Sequence, residues 1–346
     1  MRKPTQKKIM GQSMPDTDWL AQVTEEALEP ELEIVDPHHH LWMRSGEPYL
    51  LPEFAIDLAT GHNVVSTVYA ECRSMYRQTG PDELRSLGET EFVTGTAAMS
   101  ASGAFGTTRV CEAMFGRVDL TLGDRTRPLF ERHLERSDRR FRGVRFSTAW
   151  DPSDEINNVA PRPHLLIDED VRKAAGIMSE MGLSLDCWVY HPQLNEVAQL
   201  AAEFPELVII LNHAGVPVLG GPYWGCREEV YKDSQAGMVS VAEHPNVYIK
   251  LGALPILRAP NADKSLPPTS DEVVTAWSPW LEFCIELFGH KRAMFESNFP
   301  VQKLWASYTV VWNAFKRLAQ GASAEQKRWL FADAARAAYR LQDGPL

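Results

Sequence analysis

The chain has 346 residues, of which 44% are hydrophobic and 23% charged, so it can bury a sizeable core, and its net charge of −11 offers no broad basic face to a nucleic acid. Its five cysteines (72, 111, 187, 226 and 284) show no paired spacing, which argues against a disulfide framework or a structural zinc module and for a reducing compartment. No apolar run approaches the ~18 residues of a membrane span, and the basic start Met1–Met10 has no apolar segment behind it; the expectation is a cytoplasmic protein without a membrane or nucleic-acid partner.

Residues 1–31 read as an extension. Asp16-Thr17-Asp18 caps a helix carrying Trp19, Leu20, Val23, Ala27 and Leu28 at helical spacing. The main unit is expected over 32–346. There, short apolar runs alternate with helical stretches. The runs are Leu32–Val35, Val64–Ala70, Phe92–Ala98, Gly143–Phe146, Leu183–Val189, Leu207–Leu211, Val247–Leu251 and Arg292–Phe295. The helical stretches include Val171–Met181, Leu194–Phe204, Asp271–Phe288 and Leu304–Ala319. Strands separated by helices pair in parallel, because parallel neighbours need a crossover. Eight such units predict an α/β fold, a (β/α)8 TIM barrel with an N-terminal helical extension; a doubly wound open sheet is the alternative. Pro255–Thr269 reads as a long loop after the seventh strand.

In a barrel the chemistry sits at the C-terminal ends of the strands. Those ends carry His38 and His40, Glu71, Arg145, His191, His213, Lys250 and Asn298. Side chains alternate along a strand, so His38 and His40 share a face, with Cα atoms about 6.5 Å apart, while His39 points the other way. Two imidazoles at that separation can converge on one ion; a hydrogen-bonded pair at a barrel mouth would give the same pattern. His213, ending Ile209–Leu211 before a glycine turn, is the candidate third ligand, and His191 a substrate-orienting or acid–base group. Arg145, Lys250 and Arg73 point either to a substrate carboxylate or to internal pairing with Glu71, Asp151 or Asp186. Tyr223, Trp224, Trp305 and Tyr308 are candidate walls of the pocket.

The ordered set Val35-Asp36-Pro37-His38-His39-His40-Leu41-Trp42, Phe141–Arg145, Trp188–Leu194, Leu211–Gly215, Asn246–Lys250 and Met294–Pro300 resembles the amidohydrolase-related family of TIM-barrel metal-dependent hydrolases, over residues 32–341. That family includes 2-pyrone-4,6-dicarboxylate lactonase and L-fuconolactonase. The resemblance implies a homo-oligomeric enzyme that opens a small, carboxylate-bearing lactone or related ester. It places His38, His40 and His213 around one divalent metal, zinc by preference, although some lactonases of this branch work without one.

One position departs from the family. Its last strand ends in Ser-Asp-Trp-Pro or Ser-Asp-Phe-Pro, and this chain has Ser297-Asn298-Phe299-Pro300, preceded by Glu296 where glycine is usual. An amide cannot take the proton that the family's aspartate takes. The base is then expected to be Glu71, His191 or Asp36, in that order. A decarboxylase or hydratase on the same barrel, or a binding protein that has lost its base, are the competing expectations.

Overall fold

The computed structural model describes residues 16–44, 47–256, 263 and 265–341. The expected loop Pro255–Thr269 lies partly outside them, at 257–262 and 264, as does the basic start of the chain. Eight parallel strands pair strictly in chain order: β1 (Ile34–His39), β2 (Val64–Ala70), β3 (Arg109–Gly116), β4 (Phe141–Ser147), β5 (Ser184–Trp188), β6 (Ile209–Leu211), β7 (Val247–Leu251) and β8 (Ala293–Phe295). Each is followed by a helix that covers the outer face of the sheet: α1 (Leu51–Leu58), α2 (Leu87–Ala101), α3 (Arg127–Arg136), α4 (Glu169–Glu180), α5 (Leu194–Glu203), α6 (Arg227–Ala242), α7 (Ser270–Phe288) and α8 (Tyr308–Leu318). The sheet closes just past the end of β8. Asn298 N donates to His38 O at 2.9 Å, and His40 N donates to Phe299 O at 2.7 Å. This is the (β/α)8 barrel, and the open-sheet alternative falls.

Two expectations about elements are corrected. Phe92–Ala98 lies inside α2, and the third strand is Arg109–Gly116. The segment Phe92-Val93-Thr94-Gly95-Thr96 carries β-branched residues and a glycine, which weigh against helix locally, while the true strand is interrupted by Glu112. Among the described residues of the N-terminal extension only Thr17–Leu20 is helical, capped by Asp16, whose side chain accepts from Trp19 N. The chain beyond it is an irregular strap. Leu28 N donates to Asn313 Oδ1 at 2.8 Å, and Lys316 Nζ donates to Leu28 O and Glu29 O at 2.7 and 2.9 Å, which ties the strap to α8.

The main core lies between the strands and the helices. A second cluster fills the barrel interior, where Val35, Val68, Ala113, Phe115, Ile210 and Met294 meet the C-terminal helix Ala334–Tyr339. Tyr339 stacks on Phe115 at 5.6 Å between ring centroids. No described helix is long and apolar enough to cross a membrane, and all five cysteines are free thiols.

Candidate active site

The pleat of β1 sorts its three histidines. His39 stacks on Phe54 of α1 at 4.4 Å and bonds Thr67 Oγ1 at 2.8 Å, so it belongs to the outer packing layer. The rings of His38 and His40 lie together at 4.9 Å, and His213 lies 4.7 Å from His38. His213 sits in a run of left-handed residues, with φ of 55° at His213, 49° at Ala214, 68° at Gly215 and 35° at Val216. Three of the four are not glycine, and each such residue costs about 1–3 kcal/mol, a strain typical of functional sites.

His213 is met by a residue that the sequence showed only as a departure. Glu296, fully buried just beyond β8, accepts from His213 N at 3.1 Å through Oε1, which also lies 2.6 Å from His213 Nδ1. Its Oε2 lies 3.0 Å from His38 Nδ1 without an aligned hydrogen bond. His38, His213 and Glu296 each offer one donor atom within 4.8 Å of the others. The site therefore does contain a carboxylate, two residues before the position where the family's aspartate is expected.

His40 is satisfied differently. Its Nδ1–H donates to Ala70 O at 2.9 Å, and burial keeps the ring neutral. The Nε2 lone pair then faces the Asn298 amide, 3.2 Å from its Oδ1, and the amide's N–H group is what can satisfy it. A carboxylate at 298 would instead set two acceptors against each other. An amide at 298 can thus satisfy a neutral His40.

The cations are committed internally. Arg145 Nε donates to Glu71 Oε1 at 3.0 Å and Nη2 to Glu71 O at 2.7 Å, while Nη1 lies 3.3 Å from His38 Nε2. Lys250, with no exposed surface, donates to Asp186 Oδ1 at 2.8 Å. The internal pairing is the one observed for Arg145 and Lys250. Each cation has its own carboxylate, so among the described residues no lysine or arginine is ion-paired with Glu296. A buried carboxylate without a directly paired cation is costly. Two imidazoles plus one carboxylate is also a catalytic zinc donor set. On both counts the cluster fits a divalent ion.

The remaining candidates fall elsewhere. His191 accepts from Val218 N at 3.3 Å and packs on Tyr223, lining a cavity of about 470 Å³ with Asn195, Asp233 and Ser240 rather than joining the histidine cluster. Burial pushes its imidazole down to about 4. Asp36 is also buried, accepting from Ser297 N, His38 N and Tyr308 OH, so it braces the β1–β8 junction; burial raises its carboxyl to about 6. Tyr308 is thereby a core residue, and Tyr223 OH donates to Asp151. Arg73, Trp224 and Trp305 are exposed. Glu71 is tied to the cluster through Arg145, and its Oε2 is buried without a hydrogen-bond partner.

A family model described as amidohydrolase matches residues 35–341. An uncharacterized protein of Sinorhizobium fredii, y4mH, is 29% identical over 333 residues, covering 90% of this chain and 99% of its own length. The L-fucono-1,5-lactonase of Burkholderia ambifaria is 24% identical over 280 residues, covering 78% of this chain and 81% of its own. Among solved structures, an amidohydrolase of Burkholderia multivorans with bound zinc aligns with a TM-score of 0.67 at 23% identity, over 89% of this chain and 99% of that one. That likeness concerns the fold.

Proposed function

The chain belongs to the amidohydrolase family, and on that premise we propose that it is a hydrolase opening a small anionic lactone or a related ester. The observation that carries this is the buried His38–His213–Glu296 cluster at the mouth of the barrel. In this proposal those three residues hold one divalent ion, zinc by preference, with His40 and Asn298 forming the adjoining wall. Such an ion would polarise the substrate carbonyl and favour ionisation of water.

The protein's own groups do the rest. Glu71, held through Oε1 by Arg145, takes the proton of the attacking water on its unpartnered Oε2 and returns it to the alkoxide that leaves. Water is thereby added across the acyl C–O bond, and Glu71 ends as it began. With Arg145 and Lys250 committed, the substrate's carboxylate falls to rim cations. Arg73 is exposed, and the exposed Arg44 guanidinium lies 3.9 Å over Trp42, whose ring stacks on His40 at 5.7 Å. A binding protein without catalytic chemistry was expected only on the loss of a carboxylate at 298, and Glu296 removes that support.

Turnover of a panel of carboxylated, sugar and aliphatic lactones tests the proposal, with product analysis and a His38→Ala control. Ring opening by the wild type and none by the folded variant are expected. Full activity in His38→Ala, or CO2 release without ring opening, would refute it.

A further inference from the structure

Both nitrogens of the His38 ring face protein cations. Lys250 Nζ lies 3.2 Å from Nδ1 and Arg145 Nη1 lies 3.3 Å from Nε2. A neutral imidazole has a single lone pair, so the ring can satisfy at most one of these two cations. At Nδ1 the ammonium shares the space with Glu296 Oε2, which lies 3.0 Å from the same nitrogen.

The Lys250 ammonium is held firmly in that position. Asp186 Oδ1 accepts from it at 2.8 Å, and the ammonium sits 4.1 Å over the Phe115 ring. The same Asp186 oxygen also accepts from Asn212 Nδ2 and from Tyr339 OH of the C-terminal helix, each at 2.8 Å. The resulting chain of contacts, Tyr339–Asp186–Lys250–His38, runs from the interior core to the cluster.

We propose that Lys250 is a positioning residue that sets the metal affinity of the His38–His213–Glu296 cluster. This rests on the cluster being a metal site. A dication bound there competes with the neighbouring ammonium for the single lone pair of His38 and is repelled by its charge at a buried site. Asp186 acts in the opposite sense by offsetting that charge. The ion is therefore held exchangeably, in a site that the protein's own cation partly satisfies when the ion is absent.

The test is zinc affinity by competition with a chromogenic chelator, which needs no substrate, on the wild type, Lys250→Met, Asp186→Asn and the double variant. Lys250→Met is expected to bind zinc about tenfold tighter or more, and Asp186→Asn correspondingly weaker. The double variant, which removes both members of the Lys250–Asp186 pair, should fall between them. If Lys250→Met does not fold by circular dichroism, the near-isosteric Asp186→Asn carries the test, and unchanged or tighter binding there overturns the proposal. Wild-type binding that Glu296→Gln abolishes but Lys250→Met leaves unchanged or weakens overturns the role of Lys250 alone. If no variant binds zinc, the cluster is not a metal site and the role of Lys250 falls with it.

Discussion

Replacing Glu296 by glutamine keeps the volume of the side chain and removes its charge. The wild-type carboxylate touches His213 N, His213 Nδ1 and His38 Nδ1 at 3.1, 2.6 and 3.0 Å in a fully buried position. Were it one half of a balanced internal ion pair, removing its charge would cost about 3–5 kcal/mol, as for any broken buried pair. If it is instead a carboxylate waiting for an ion, Glu296→Gln relieves an unpaired buried charge and should leave metal-free stability unchanged or higher. Zinc at a hundred times its Kd adds about 2.7 kcal/mol. In a barrel of this size that raises the wild-type Tm by roughly 5 °C. Calorimetry with EDTA and with zinc measures both quantities. The expected result is a zinc-dependent rise that Glu296→Gln abolishes, with a metal-free Tm in the variant no lower than in the wild type. A large metal-free loss together with an intact zinc shift would refute the reasoning.

Other outcomes follow from the same geometry. Glu71→Gln should lower kcat by about 10²–10⁴-fold while zinc binding is retained, since the carboxylate is assigned the proton and not the ion. His191→Ala should change kcat/KM less than threefold, about the scale of a residue outside the cluster, because its contacts are with Val218 and Tyr223. Asn298→Asp should reduce metal-free stability by about 1–3 kcal/mol by setting a carboxylate against the His40 Nε2 lone pair, measurable by urea unfolding. Burial holds His39, His62, His133 and His191 at about 3, 4, 4 and 4, so these groups stabilise fully above pH 6.5 and progressively less as pH falls towards 4. Asp36 and Glu89, raised to about 6 and 7, oppose this between their unfolded values and those limits. Four groups against two leave a net uptake of about two protons on unfolding, roughly 2.7 kcal/mol per pH unit near pH 5.5. Tm should therefore fall from pH 7.5 to 5.5, and an unchanged or higher Tm at 5.5 would contradict the balance.

The barrel was legible because seven of its eight strands are apolar runs separated by helical stretches. Arg109–Gly116 was not, since Glu112 breaks its run while the β-branched Phe92–Ala98 segment of α2 imitates a strand. The facing of His38 and His40 followed from the two-residue period alone. Charge partners could not follow from any local pattern. Arg145 meets Glu71 and Lys250 meets Asp186 across 74 and 64 residues, through strand neighbours and the barrel interior. Glu296 stood in plain view as a departure, but its role depends on the closure that brings the end of β8 beside both β1 and the turn after β6. Once Glu296 is placed there, an amide at 298 reads as the complement of a carboxylate that has moved, rather than as a lost function.

The most direct test of that displaced carboxylate is anomalous diffraction from crystals of the protein grown with zinc. The account predicts one ion coordinated by His38, His213 and Glu296, with the His40–Asn298 pair intact. An ion held by His40 and Asn298 with Glu296 uninvolved, or no ion at saturating zinc, would contradict it.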